Sequence, residues 1–116
     1  MESLTGSEKQ VRWASEIRSG ILDQIENFEE DLTEDYGISL EEMRDVLASI
    51  KPAKFWIDGF GRDDLNGTTL AIMARTIRAV REGGRRQALE TLEPVGLESA
   101  SLWGWPIIDV LAPVTS

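Results

Sequence analysis

The 116-residue chain contains neither cysteine nor histidine. The first absence excludes disulfides, thiolate nucleophiles, zinc knuckles and iron–sulfur clusters; the second excludes an imidazole base and a His-ligated metal. No apolar run approaches the ~20 residues of a membrane span, and the opening MESLTGSEKQ lacks the basic and apolar regions of a signal peptide. Basic residues are also short, with twelve Lys and Arg against twenty-one Asp and Glu, a net charge of -9. The expectation is an intracellular protein of the cytoplasm. Its reactive groups are carboxylates, hydroxyls, Lys, Arg and a single Tyr.

The imbalance is local. Residues 1–50 hold thirteen acids and four bases, whereas residues 51–116 hold eight of each. General nucleic-acid coating calls for the opposite sign, since affinity for phosphates comes from Lys and Arg. A length near the modal domain size predicts one domain over residues 1–116, with a flexible N-terminus over residues 1–6 and a docked C-terminal arm over residues 101–116.

Helical signals dominate. Ser7 with Gln10 reads as a capping box, Thr5 with Glu8 as an alternative one, and Gly37 as a stop after Tyr36. Between them Val11, Ala14, Ile17, Ile21, Ile25, Phe28 and Leu32 recur at three- and four-residue steps, the mark of a helix stripe. Gly20 weakens this segment, which is one long helix or two collinear ones. Ser39 with Glu42 opens a second helix carrying Leu40, Met43, Val46, Leu47 and Ile50, which ends before Pro52. Ala53 to Asp58 is either a helical turn or a short strand. Thr68 or Thr69 caps a third helix with Leu70, Met73, Ala74 and Ile77 inward, stopped by Gly83 and Gly84, and Gln87 to Glu93 form a short turn before Pro94. In the tail, Gly104, Pro106 and Pro113 favour a docked arm or an isolated strand over a helix. The expected fold is therefore mainly α, a small single-domain helical bundle with a long N-terminal helix and a Trp-rich C-terminal arm.

Four features are candidates for function. With Ala14 at the centre of the buried stripe, Glu16, Asp23, Glu26, Glu30 and Glu34 fall on the opposite side of the first helix, flanked by Glu29, Asp31 and Asp35. Such a stripe is the ordinary mark of a solvated face. Its carboxylates, about 5–6 Å apart one turn from the next, also approach the charge spacing of a nucleic-acid backbone and go largely unrelieved by neighbouring bases. A basic cluster follows at Arg75, Arg78, Arg81, Arg85 and Arg86, where Arg78, Arg81 and Arg85 should rim the core and pair with the acids of the first helix; the functional alternative is a phosphate or RNA contact.

The run Asp58 to Gly67 is rich in oxygen ligands but fails the calcium-loop pattern, with Phe60 and Arg62 at ligand positions and Thr69 in place of the terminal Glu. A hydrolase using Asp58, Asp63 or Asp64 with Mg²⁺ ranks last, because turn chemistry already explains the loop. Finally, the chain has four tryptophans. Trp13 and Trp56 are assigned to the core, and Trp103 and Trp105 stand open between core and interface anchor.

Two stretches, Leu4 to Ala14 with Ile17 and Arg18, and Ala53-Lys54-Phe55-Trp56-Ile57-Asp58, together resemble a small module of unknown function met in proteins of phages, plasmids and other bacterial mobile elements. The resemblance implies a fold signature, a capped helix with a Trp docking on a second aromatic, more than an active site. In composition only, the chain is similar to anti-CRISPR proteins and other nucleic-acid mimics. The resulting expectation is a non-enzymatic acidic binder in the cytoplasm of a bacterial host, pressed against a basic nucleic-acid-handling protein such as a CRISPR effector, with no cofactor, metal or membrane partner. The alternative is an accessory nucleic-acid-binding module of phage or plasmid DNA metabolism using Arg75 to Arg86. Monomer and dimer are both open.

Overall fold

A reciprocal cap starts the first helix. The Gln10 N–H donates to Ser7 Oγ at 3.2 Å and the Ser7 N–H donates to Gln10 Oε1 at 3.0 Å, satisfying two backbone donors that helix geometry leaves over. Helix α1 (Glu8–Gln24) then runs through Gly20 without a break. It continues as a 3₁₀ turn over Ile25–Phe28, one α turn over Glu29–Asp31 and a π turn over Leu32–Tyr36, and ends at Gly37 with φ 65°. Ala14, Ile21, Ile25 and Leu32 are buried along the expected stripe, so the change of winding does not carry it out of the core.

The computed structural model describes residues 4–61 and 65–113 and is mainly α. After α1 come α2 (Leu40–Ala48), α3 (Ala53–Phe60), α4 (Gly67–Leu92) and α5 (Trp105–Leu111). Among the described residues the one β feature is a single parallel bridge between Thr5 and Pro52. Its backbone bonds, Thr5 N–H to Lys51 O at 2.8 Å and Ala53 N–H to Thr5 O at 2.9 Å, tether part of the segment expected to be flexible.

Ala53 to Asp58 is helical, which resolves its ambiguity. Within α3 the rings of Phe55 and Trp56 meet edge to face with centroids 4.9 Å apart, and Phe60 completes the cluster. Helix α3 packs on α1, and the main core draws on α1 to α4 and on Ile107 of α5. The loop before α4 is tied back to α1 by the Leu65 N–H, which donates to Gln24 Oε1 at 3.0 Å.

Three caps and ends depart from expectation. Ser39 Oγ accepts from the Glu42 N–H at 3.1 Å, but the Glu42 carboxylate bonds Arg81 instead of returning to Ser39, leaving the box half made. The cap of α4 is Asn66, whose Oδ1 accepts from the Thr69 N–H at 2.9 Å; neither Thr68 nor Thr69 serves. At Gly84 the backbone adopts φ 72°, ψ -159°, a conformation open essentially to glycine alone, and helix resumes at once toward Leu92. The glycine pair is thus a kink between two helical arms, and the short turn expected after it is the second arm.

The C-terminal arm is helical too, contrary to expectation. Helical turns over Leu97–Ser99 and Ala100–Gly104 lead into α5, where Pro106 sits in the first turn. A proline there sacrifices no intrahelical hydrogen bond, because the first N–H groups of a helix have no partner within it. Gly104 lets the arm approach α4 closely: a Cβ on it would stand 2.5 Å from Leu92 Cδ1. Here Ala79, Ala88, Leu92, Ala100 and Ile108 form a second, smaller core. The Cα radius of gyration, 13.4 Å, matches the roughly 13 Å of a compact chain of this length.

Candidate functional site

The five acids assigned to one face all lie exposed, distributed over successive kinds of turn: Glu16 and Asp23 on α1, Glu26 on the 3₁₀ turn, Glu30 on the single α turn and Glu34 on the π turn. The even 3.6-residue ladder therefore ends at Gln24. Glu26 is bonded by Arg44 from α2, a neutralising contact between elements that periodicity along one helix cannot reveal. Among the described residues no Lys or Arg lies within ion-pair distance of Glu16, Asp23, Glu30 or Glu34. Like charges one turn apart, as Glu30 and Glu34 are, cost a few tenths of a kcal/mol per pair, and among the described residues no ion pair offsets that cost.

The basic cluster does rim the core, but its carboxylate partners are not the five acids of the outer face. Arg78 pairs with Glu82 at 2.8 Å, Arg81 with Glu42, Arg85 with Asp109 at 3.4 Å, and Arg86 with Glu90 at 3.6 Å. Arg81 also donates to the Gly37 carbonyl at 3.0 Å and Arg85 to the Ala112 carbonyl at 3.1 Å. Exposed Arg75 borders a depression of about 500 Å³ shared with Arg78, Asp35 and Tyr36. The expected pairing of this cluster with helix-one acids is replaced by bonds to α2, to α4 itself and to α5. The reason is tertiary: α4 packs chiefly on the C-terminal arm and on the Leu32–Tyr36 turn rather than on α1 itself.

The tryptophans divide differently from expectation. Trp56 is fully buried and makes its ring contacts within α3, but Trp13, assigned to the core, is 50% exposed and makes no ring contact among the described residues. One residue advances a helix by about 100°, which carries Trp13 beyond the stripe centred on Ala14. Arg18, one turn on from Ala14, is buried on the stripe. Trp103 is half-buried against the main core, its indole Nε1 3.0 Å from where a Cβ of Gly59 would stand, and Trp105 is exposed.

A cleft of about 770 Å³ lies between α3 and α5. Ile50, Phe55, Leu102, Pro106 and Val110 give it an apolar lining, while Lys51, Lys54, Asp58 and Asp109 supply charges of both signs. Its size falls among small-molecule sites, and the proximity of α3 to a helical arm is what the sequence reading missed. Asp58 is exposed at this cleft; Asp63 and Asp64 lie outside the described residues. Among the described residues no group of three acids is placed to hold a metal ion, and no helix is long and apolar enough to cross a membrane. Comparison with family models, curated proteins and solved structures finds no match.

Proposed function

We propose that the chain is a binding protein without catalysis of its own, which lays the acidic face carrying Glu16, Asp23, Glu30 and Glu34 against the basic surface of a nucleic-acid-handling protein. The observation that carries this reading is that these four carboxylates are exposed and no base of the described chain pairs with them. A basic partner removes the repulsion between them, so association is favoured by the free chain's own electrostatic cost. Direct nucleic-acid contact through Arg75 to Arg86 is less well supported, because four of those five arginines already hold carboxylates of the same chain.

In its most specific form the partner is a CRISPR effector in the cytoplasm of a bacterial host, and the acidic face occupies its nucleic-acid channel. The test is plasmid interference in cells carrying CRISPR systems, with the wild-type chain and with a D23K/E30K/E34K variant. Glu26 is left unchanged, since reversing it would set two cations together at Arg44. Protection of the plasmid by wild type and its loss in a variant of unchanged circular dichroism are expected. No protection in any system, or equal protection by the variant, overturns the proposal.

A further inference from the structure

The described residues leave five large apolar side chains exposed, and four of them, Leu89, Leu97, Trp105 and Leu111, lie in the C-terminal part of the chain. Three share one face. Leu89, Leu97 and Trp105 border a depression of about 410 Å³ floored by buried Leu92 and Ala100, and Leu89 and Trp105 also border a second of about 230 Å³. Projecting groups, Leu97 being 72% exposed, thus alternate with hollows on a single patch. A patch carrying both knob and hole can be complementary to itself about a two-fold axis.

Charge identifies the occupant. The α4 arm after Gly84 bears Arg85 and Arg86 at its start, with Glu90 near its end and Glu93 just beyond. That polarity opposes the helix macrodipole, which favours acids at the start and bases at the end. An antiparallel second copy sets each basic end against an acidic one. Arg86, whose side chain is 92% exposed, reaches Glu90 only at 3.6 Å, and Glu93 has no ion pair among the described residues. The remainder of the charge agrees: residues 51–116 carry eight acids and eight bases, so copies meeting here avoid the repulsion of the first 50 residues.

We propose that this face is the interface of a two-fold symmetric homodimer, in which Leu97 and Trp105 of one copy fill the hollows of the other and Arg86 lies against Glu93 of the partner subunit. The dimer leaves the acidic faces free and stands independently of what they bind. Sedimentation equilibrium of the full chain from micromolar to millimolar concentration should give a mass rising to twice 12.9 kDa. Trp105→Ala and Leu97→Glu should each weaken association by about thirtyfold or more, as for a central anchor, with circular dichroism unchanged. Arg86→Glu should weaken it as well, and R86E/E93R should restore it. A wild-type chain monomeric throughout, which would leave the face to a different protein, overturns the proposal; so does a dimer indifferent to L97E, or a charge swap that fails to restore association.

Discussion

Arg81 on α4 bonds the Glu42 carboxylate on α2 and, at 3.0 Å, the Gly37 carbonyl where the first helical stretch ends. One guanidinium thereby joins three segments and supplies a partner to a carbonyl that helix geometry leaves over. Both side chains are partly exposed, which limits the gain to the order of a surface pair plus one hydrogen bond. Arg81→Ala should therefore lower unfolding free energy by about 1 kcal/mol, against roughly 0.5 kcal/mol or less for Arg75→Ala. A double-mutant cycle with Glu42→Gln, followed by urea denaturation, should return a coupling of about 0.5 kcal/mol. Strict additivity would mean that the contact contributes nothing.

The kink at Gly84 should be intolerant of any side chain. Space is not the obstacle, since a Cβ there meets nothing within 4 Å; the backbone at φ 72° and ψ -159° is. Gly84→Ala should cost about 1–3 kcal/mol, read as a lowered melting temperature, whereas Gly20→Ala within α1, equally open to a Cβ, should stabilise by about 0.5–1 kcal/mol. A neutral Gly84→Ala would show that the two arms of α4 can straighten without loss.

Trp13 and Trp56 should behave as opposites. Trp56 is fully buried in the main core and touches Phe55 and Phe60, so Trp56→Ala should cost about 3–5 kcal/mol, most of the stability of a small domain. Trp13→Ala should cost under about 1 kcal/mol. Tryptophan fluorescence with denaturant titration separates them: only the Trp56 variant should lose a blue-shifted component together with its cooperative transition.

Local physics was legible in the residues. The Ser7–Gln10 cap, the Val11 to Leu32 stripe, the Ser39 cap and the end at Gly37 all depend on contacts within four residues, and each is present. The position of the acidic face was equally legible, because exposure opposite an apolar stripe follows from helix period alone. Where a residue's role turned on its exact place within an element, the same signals misled. Pro106 breaks a helix in the interior and not in the first turn, and Trp13, one residue short of the stripe's centre, is exposed rather than in the core.

The sequence by itself determined the first two helices and their apolar sides, the absence of thiol and imidazole chemistry and the concentration of negative charge in the first 50 residues. Only the tertiary structure decided which charges are neutralised. Arg44 with Glu26, Arg81 with Glu42 and Arg85 with Asp109 lie 18, 39 and 24 residues apart, and no periodicity along one element encodes which element will lie beside another. Among the described residues that pairing leaves an acidic face and an apolar face uncovered, because Arg44, Arg81 and Arg85 are held between elements instead.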